Sequence, residues 1–286
     1  MENRYSVYGG FGFVGGEFCR QYSQEVIRVP KHEQESPSNK ILYFISTTDN
    51  YGVYDDPLLD IETNVVWFMQ VLSKAHVKYK DKFEFTLVST WFTYGSTPSS
   101  SEHPHVEEAY CDPKGFYSIT ARCREQLLIS YCETFGIKYK ILRLANVIGA
   151  KDRKVSKKKN ALQYLFDKIV HDEPVELYDN GEFYRDYIDV RDVARAIKLA
   201  MESPLPYTIY NISNGVSHKF IDLIKFAIEY AQSKTTVWDK LDKPEFHKVV
   251  QSKNVFLSNK KLEETGYKPA YTIWQSIQDI IDDYTR

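Results

Sequence analysis

Five glycines near the start of the chain form a pattern that could bind phosphate. In SVYGGFGFVGGEF, the spacing Gly9-x-x-Gly12-x-x-Gly15 follows a short apolar run and precedes a helical pattern; Gly10-x-Gly12-x-x-Gly15 fits as well. Glycine adopts the backbone angles of a tight turn and lets a pyrophosphate approach the backbone. The free N–H groups of the helix start would then hold the phosphates. The pattern predicts a dinucleotide-binding loop, with a merely tight turn as the alternative.

Residues after the second apolar run bear on the choice of cofactor. An acidic side chain about 20 residues beyond the glycines normally binds the ribose hydroxyls. This region instead contains Arg28, Lys31 and His32. Glu33 is a possible substitute for the acidic residue, but it lies beyond the usual position. Cations here favour a 2′-phosphate, so we expect NADP or NAD, with NADP slightly favoured; the alternative is an exposed turn without a ligand. Only SPSNK then precedes the third apolar run, which leaves little room for the usual crossover beside the adenine.

A tyrosine in the first turn of a helical pattern is the candidate for proton transfer. Tyr117 follows the turn-like sequence DPKG, and apolar residues recur every four positions after it. A phenol can donate or accept a proton at a substrate hydroxyl, but its ordinary pKa of about 10 calls for a nearby cation. One turn later stands Ala121, which has no charge. Arg122 is expected to face away from Tyr117, and Lys114 on the preceding loop is a candidate cation.

Composition limits the classes of function. The 286 residues are 43% apolar and carry a formal net charge of -2, which predicts no general attraction to nucleic acid or membrane. The four cysteines form no C-x-x-C pair, so we expect no metal site and reduced thiols. No apolar run approaches the roughly 20 residues of a membrane span, and the N-terminus lacks a secretory pattern. These features predict a cytoplasmic protein.

Alternating strand and helix patterns must position these groups. Predicted strands cover Tyr5–Tyr8, Val26–Val29, Ile41–Ile45, Phe85–Ser89 and Tyr139–Leu144. Predicted helices cover Phe13–Gln24, Leu58–Leu72 and Tyr117–Thr134. This alternation indicates a parallel sheet with helices on both faces.

The second half of the chain contains smaller pieces. Predicted helices cover Ala161–Val170, Asp189–Met201, Lys219–Gln232 and Ile273–Tyr284, with short strands at Val175–Leu177 and 208–213. The basic stretch 151–159 is either a phosphate contact or a solvated loop. We therefore predict an α/β fold: a Rossmann-like, doubly wound parallel sheet with a smaller C-terminal α/β substrate domain. Residues 1–145 with about 187–212 would form the dinucleotide-binding domain, and 146–186 with 213–286 the substrate domain.

Several segments, in order, resemble the extended short-chain dehydrogenase/reductases of the NAD-dependent epimerase/dehydratase family, which modify nucleotide sugars. The matching segments are YGGFGFVGG, DPLLDIETNV with Asn64, VSTWFTYG, DPKGFYSITARCREQLL, LRLANVIG, NGEFYRDYIDVRDVARAI, YNISNG and SNKKLEETGYKPAYTI. The resemblance implies the Rossmann fold and a nucleotide-diphosphate sugar as substrate. It also implies a possible homodimer through the tyrosine helix and its neighbour.

The resemblance implies roles for individual residues. Tyr117 and Thr90 would act at the sugar hydroxyl, and Thr90, Asn146 and Arg185 would bind substrate. The cofactor would contact Gly9, Gly12, Phe13, Gly15, Lys31, Ser46 and Tyr117.

Two departures from the family pattern limit the expected reaction. Dehydratases of the family place Asp-Glu after the catalytic threonine, whereas Trp91 and Phe92 stand here and cannot transfer a proton. The usual lysine of Tyr-x-x-x-Lys is Ala121. We therefore expect an NAD(P)-dependent 4-epimerase or 4-ketoreductase and no dehydratase. The alternative is a non-catalytic or atypical cofactor-binding relative.

Overall fold

The computed structural model describes residues 4–47, 54–152, 155–156, 159–242 and 254–286. Its strands are β1 (Tyr5–Tyr8), β2 (Val26–Val29), β3 (Lys40–Tyr43), β4 (Glu84–Thr90), β5 (Lys138–Leu144), β6 (Asn146–Ile148), β7 (Val175–Leu177), β8 (Tyr184–Asp189), β9 (Thr208–Ile212), β10 (Ser217–Lys219) and β11 (Val237–Asp239). Its helices are α1 (Phe13–Gln21), α2 (Leu59–Ile61), α3 (Phe68–Tyr79), α4 (Phe116–Phe135), α5 (Ala161–Val170), α6 (Val190–Glu202), α7 (Phe220–Ala231), α8 (Lys260–Glu263) and α9 (Ile273–Tyr284). A π-helical segment, Glu62–Trp67, joins α2 to α3, and 3₁₀ turns cover Trp91–Tyr94 and Tyr178–Gly181.

Six parallel strands form the central sheet, in the order β2-β1-β3-β4-β5-β9. The chain runs outward from β1 to β2, then crosses back to β3 on the other side of β1. Strands therefore diverge at β1 and β3, and ligands of such sheets bind at the carboxyl ends beside this switch point. The glycine loop follows β1 directly and opens at that place. The predicted doubly wound parallel sheet is confirmed.

The connection from β2 to β3 is short. Residues Pro30–Asn39, all of which the structure describes, contain no helix or strand. The usual dinucleotide-binding order, 3-2-1-4-5-6, has one further strand outside the strand that neighbours the first. Here β2 itself is the edge of the six-stranded sheet. The shortage of chain predicted from SPSNK thus removes one strand from the adenine side.

Helices cover both faces of the sheet, as the sequence pattern predicts. One buried cluster joins α1 and α6 to the sheet through residues such as Phe18 and Val193. The opposite cluster joins α3 and α4 through Phe68 and Leu128. Burial of these apolar side chains is the main force that holds each helix to the sheet.

A third buried cluster lies among the C-terminal helices. It includes Phe166 of α5, Ile224 of α7 and Ile277 of α9. Two small sheets belong to this half of the chain, β10-β8-β6 and β11-β7. The division of the chain into two domains stays a prediction.

Most predicted elements have bounds within a few residues of those observed. The helix predicted at 58–72 continues to Tyr79 and contains the π-helical segment. Strands β6, β8, β10 and β11 were not predicted, because each is short or reads like part of a neighbouring loop or helix. Residues 153–154 and 157–158 of the basic stretch lie outside the described residues.

Within the described residues, no helix has both the length and the apolar character to cross a membrane. The same part of the chain contains no group of three or more His, Cys, Asp or Glu side chains that could hold a metal ion.

Candidate active site

The glycine loop has the geometry that phosphate binding requires. Gly9 has φ +79°, and the Gly12 N–H donates to the Gly9 carbonyl at 3.0 Å. A Cβ on Gly15 would lie 2.4 Å from that carbonyl, so only glycine lets α1 pack this close to β1. No side chain caps the N-terminus of α1, and its first turn, which begins at Phe13, holds no acidic residue. Its N–H groups are therefore available for a pyrophosphate, so the loop fits a dinucleotide.

Of the cations expected near the cofactor ribose, Arg28 packs against the glycine loop, where a Cβ on Gly10 would lie 3.3 Å from its Cγ. Its guanidinium is 5.4 Å from the ring centroid of Phe11, which is exposed within the loop. Lys31 is exposed, and no hydrogen bond or ion pair joins it to another described residue. His32 lies against Trp67, with 6.3 Å between ring centroids. Arg28 is thus better placed than Lys31 to meet a charge on a ligand at the loop.

A buried amide connects the end of β3 to α4. Asn64, in the π-helical segment, accepts from the Ser46 hydroxyl at 3.1 Å and from the Thr47 N–H at 3.0 Å. It donates to the Thr120 hydroxyl at 3.0 Å and is fully buried. These bonds fix Ser46 beside the first turns of α4, where Tyr117 lies. A π-helical segment is an uncommon structure that recurs at functional sites.

Tyr117 lies in the first turn of α4, next to two hydroxyl side chains. Its ring meets Phe92 edge to face, with 5.8 Å between centroids. Burial raises the pKa of the Tyr117 phenol above its ordinary value, whereas the Thr90 hydroxyl, the Arg124 guanidinium and the Ser46 hydroxyl lower it. The structure therefore brings together Tyr117, Thr90 and Ser46, three of the residues expected at the site. In the free protein the phenol keeps its proton at neutral pH.

The cations considered for Tyr117 from the sequence have other partners. Lys114 forms an exposed ion pair with Asp112, with 2.8 Å between nitrogen and oxygen. Arg122 pairs with Glu125 at 2.8 Å. Ala121 is fully buried.

Arg124 is the residue that sequence reasoning missed. Only 1% of Arg124 is exposed, and its Nη1 donates to the Ile45 carbonyl at 2.7 Å. Its Nη2 donates to the Val88 carbonyl at 3.4 Å. Helical spacing could have identified it from the sequence, since Arg124 stands seven residues after Tyr117 and so shares its face of the helix.

The substrate side of the site is aromatic. Thr90 ends β4 and accepts from the Phe92 N–H at 3.3 Å, which begins the 3₁₀ turn. Trp91 stacks on Phe92 and donates from its indole N–H to the Asn146 amide oxygen at 3.3 Å. No carboxylate follows Thr90, so this wall of the site has no acid or base of its own.

Asn146 and Arg185 lie together beside Trp91. The Asn146 amide donates to the Asp186 carbonyl at 2.9 Å. The Arg185 guanidinium lies 5.9 Å from the Trp91 ring centroid and 4.7 Å from that of Phe183. Burial lowers the pKa of Arg185 to about 10. The two expected substrate residues are therefore neighbours, joined to Tyr117 through the Trp91–Phe92 stack.

Asp186 is a buried acid behind this cluster. One carboxyl oxygen accepts from the Asn214 N–H at 3.2 Å, and the other has no hydrogen-bond partner among the described residues. Burial raises the pKa of Asp186 to about 8. It is largely protonated at neutral pH and so does not neutralise Arg185.

Curated relatives of similar sequence include nucleotide-sugar enzymes. A putative UDP-glucose 4-epimerase from Methanocaldococcus jannaschii is 26% identical over 235 residues, which are 80% of this chain and 71% of that protein. The GDP-6-deoxy-D-mannose reductase of Pseudomonas aeruginosa is 24% identical over 242 residues, 81% of this chain and 75% of that protein. Relatives named dTDP-glucose 4,6-dehydratase match as well.

Solved structures share the fold. The Thermus thermophilus UDP-glucose 4-epimerase in complex with NAD superposes with a TM-score of 0.82 at 23% identity, and 98% of each chain is covered. Another structure of this fold was solved with NADPH.

A protein-family model matches the chain. The model of the NAD dependent epimerase/dehydratase family matches residues 53–213, which is more than half of the chain. Together with the fold and the relatives, this match makes the protein a member of the NAD dependent epimerase/dehydratase family, which contains nucleotide-sugar epimerases, reductases and dehydratases.

Proposed function

We propose that the protein is a nucleotide-sugar 4-ketoreductase, with 4-epimerisation as the second candidate. The observation that carries this choice is the site of Tyr117, which lies beside the Thr90 hydroxyl with the buried Ala121 in place of a lysine one turn later; burial raises the pKa of its phenol. Reduction of a ketone needs a proton donor, and a neutral phenol is already in the required form. Oxidation of a hydroxyl needs the phenolate, of which a raised pKa leaves little at neutral pH.

The cofactor would bind at the carboxyl ends of β1 and β3. The residues that would hold it are Gly9, Gly12, Phe13, Gly15, Lys31, Ser46 and Tyr117, to which we add Arg28. When bound, a nicotinamide dinucleotide supplies hydride to a sugar carbon. The chain's own part is to hold the pyrophosphate at α1, orient the sugar oxygen and deliver a proton. The cationic end of β2 favours NADP over NAD.

The substrate proposed is a nucleotide-diphosphate sugar. Thr90 and Tyr117 would bond the same sugar oxygen, while Asn146 and Arg185 would hold the diphosphate. Arg185 suits this task because a guanidinium binds two phosphate oxygens in a fork. Trp91 and Phe92 would pack against the sugar, and neither can expel water from it. Dehydration is therefore not proposed, although dehydratases occur among the relatives.

Epimerisation is supported by the relatives that bear that name, because it uses the same tyrosine and threonine. It requires Tyr117 to act both as base and as acid. A non-catalytic relative is the rival from another class, and Ala121 is its support. Retention of Thr90, Tyr117, Asn146 and Arg185 in one site favours an enzyme.

A homodimer through α4 and the neighbouring helix remains part of the proposal. Apolar side chains are exposed on these elements, notably Val66 and Ile119. Exposed apolar surface of this kind often marks an interface between subunits.

The test is consumption of NADPH or NADH in the presence of 4-keto sugars carried on UDP, GDP or dTDP. Tyr117→Phe removes only the hydroxyl and should abolish turnover while cofactor still binds. Tyr230→Phe, at an exposed position on α7, is the matched control and should be fully active. Reduction should persist at neutral pH, whereas oxidation of the product should keep rising beyond about pH 9. If the protein bound cofactor and sugar but turned over none of these substrates, the result would favour the non-catalytic relative.

A further inference from the structure

Arg124 is a buried cation with few partners. Its hydrogen bonds within the described residues go to two neutral carbonyls, those of Ile45 and Val88, and its Nε has no partner. No carboxylate of the described residues bonds to it. A buried charge without an opposite charge is costly, so such a residue calls for an explanation.

The two carbonyls place this cation at the proton-transfer site. Ile45 directly precedes Ser46, and Val88 stands two residues before Thr90. The Ser46 and Thr90 hydroxyls both act on the Tyr117 phenol. The guanidinium therefore bridges β4 and the loop that follows β3, the two segments that carry Thr90 and Ser46.

Helix geometry explains how Arg124 can act on Tyr117. The two residues are seven positions apart on α4, on one face and about two turns from each other. Side chains of a helix lean towards its N-terminus, so the long arginine side chain extends back in the direction of Tyr117. Ala121 occupies the turn between them and adds no bulk beyond a methyl group. A lysine there would place a second cation next to Arg124.

The other charged groups nearby leave this assignment intact. Glu125 follows Arg124 in sequence, but it bonds to Arg143 and Arg122, two cations for one carboxylate. Asp60 faces Tyr117 from α2 and accepts from the Thr47 hydroxyl. The buried Tyr43 phenol at the end of β3 also feels the Arg124 charge. Among the described residues, Arg124 is a cation whose charge lowers the pKa of Tyr117.

We propose that Arg124 replaces the lysine missing at position 121 and acts as a positioning residue for proton transfer by Tyr117. The inference rests on the proposed function. When Tyr117 donates its proton to the sugar oxygen, the O–H bond of the phenol breaks and a phenolate remains. The fixed positive charge of Arg124 stabilises that phenolate. The cation of this site thus stands three residues further along α4 than the usual lysine position.

A direct titration tests the electrostatic part without any activity. A single fluorinated tyrosine, whose phenol is more acidic than ordinary tyrosine, is introduced at position 117 and followed by fluorine NMR against pH. We expect Arg124→Met to raise the pKa of this probe and Arg124→Lys to leave it near that of the unchanged protein. Should Arg124→Met unfold, Arg124→Gln keeps an N–H donor for the strand carbonyls and serves for the same comparison.

Turnover gives the second readout. Arg124→Met should lower kcat of reduction by about tenfold to a hundredfold with little change in KM. The reason is that a cation at close range commonly lowers the pKa of an acid by about 1–3 units. Ala121→Lys combined with Arg124→Met should recover most of the loss, since it returns the cation one turn earlier. Ala121→Lys alone should destabilise the protein, because two cations then share one buried space.

The outcomes separate this inference from the proposed function. A lower melting temperature of Arg124→Met with an unchanged probe titration would show a purely structural arginine and overturn the inference. A shifted titration in a protein that reduces no sugar would support the role of Arg124 and refute the ketoreductase.

Discussion

Trp91 stacks on Phe92 with 4.0 Å between ring centroids and 25° between ring planes. This pair fills the positions at which a dehydratase of the family carries its acid pair. The Trp91 indole also donates to Asn146, so the stack connects the end of β4 to the residues that would hold the diphosphate. In the proposed enzyme, this wall of two aromatic rings would orient the substrate without taking part in proton transfer.

Trp91→Phe should weaken nucleotide-sugar binding while the protein stays folded. The substitution keeps an aromatic ring but removes the N–H that holds Asn146. Loss of one such hydrogen bond costs about 1 kcal/mol, or roughly fivefold in affinity. Calorimetry of sugar-nucleotide binding measures it, with Trp238→Phe as the control because Trp238 is exposed. Equal affinity of Trp91→Phe and the unchanged protein would contradict the role given to the indole.

Arg28→Ala should reduce NADPH affinity by about tenfold and NADH affinity much less. A charge pair at a partly exposed site contributes about 1–2 kcal/mol. Lys31→Ala is the comparison, and its effect should be smaller because Lys31 is exposed and, unlike Arg28, has no observed contact with a residue of the loop. Fluorescence titration of both cofactors against both variants measures these affinities. Tighter binding of NADH than NADPH by the unchanged protein would refute the NADP preference.

Arg185→Met should lower affinity for the nucleotide sugar by about 2–3 kcal/mol. Arg185→Lys should recover part of this, because a lysine keeps the charge but lacks the planar fork. Arg185 is 9% exposed and lies against Trp91 and Phe183, so its replacement should also reduce the melting temperature. If binding were unaffected and only stability fell, Arg185 would be a structural residue.

The stability of the protein should depend on the proton of Asp186. In the folded chain the pKa of Asp186 is raised to about 8, whereas in an unfolded chain it is about 3.9. The folded state holds the proton more tightly, so this contribution is complete below about pH 4 and is lost as the pH rises through about 8.

Asp186→Asn removes that dependence. We expect the variant to be more stable than the unchanged protein near pH 8, by on the order of 5 kcal/mol, and to lose this advantage near pH 4. Urea unfolding across the pH range measures it. Asp81→Asn, an exposed aspartate in the turn after α3, is the control and should change nothing. Parallel stability curves for Asp186→Asn and the unchanged protein would contradict the assigned proton.

The sequence allowed the sheet and most helices to be predicted, since their apolar residues repeat at the period of a strand or a helix. Val26–Val29 and Ala161–Val170 match the structure at both ends. Strand β8 was missed because YRDYID carries as many charged as apolar residues, and its partners come from distant parts of the chain. The π-helical segment was missed since nothing in its composition differs from an ordinary helix.

Local context alone predicted the glycine loop and Tyr117 as a candidate for proton transfer. Thr90, Asn146 and Arg185 were named only through the resemblance to the family, and their roles stay a prediction. The structure places Thr90 beside Tyr117 and Asn146 beside Arg185. Periodicity alone did not single out Arg124, because a buried arginine is rare and its partners are backbone carbonyls of β4 and of the loop that follows β3. Such partners exist only after the sheet has formed.

The short connection from β2 to β3 bears on the lifetime of the complex with a cofactor. With β2 as the outermost strand, the adenosine end of a bound dinucleotide would have little protein on its far side, and its residence time should be short. An enzyme that exchanges spent for fresh cofactor at each turnover gains from rapid release, whereas one that regenerates its cofactor in place gains from retention. We expect the purified protein to carry little nucleotide and to equilibrate quickly with the dinucleotide supplied in solution.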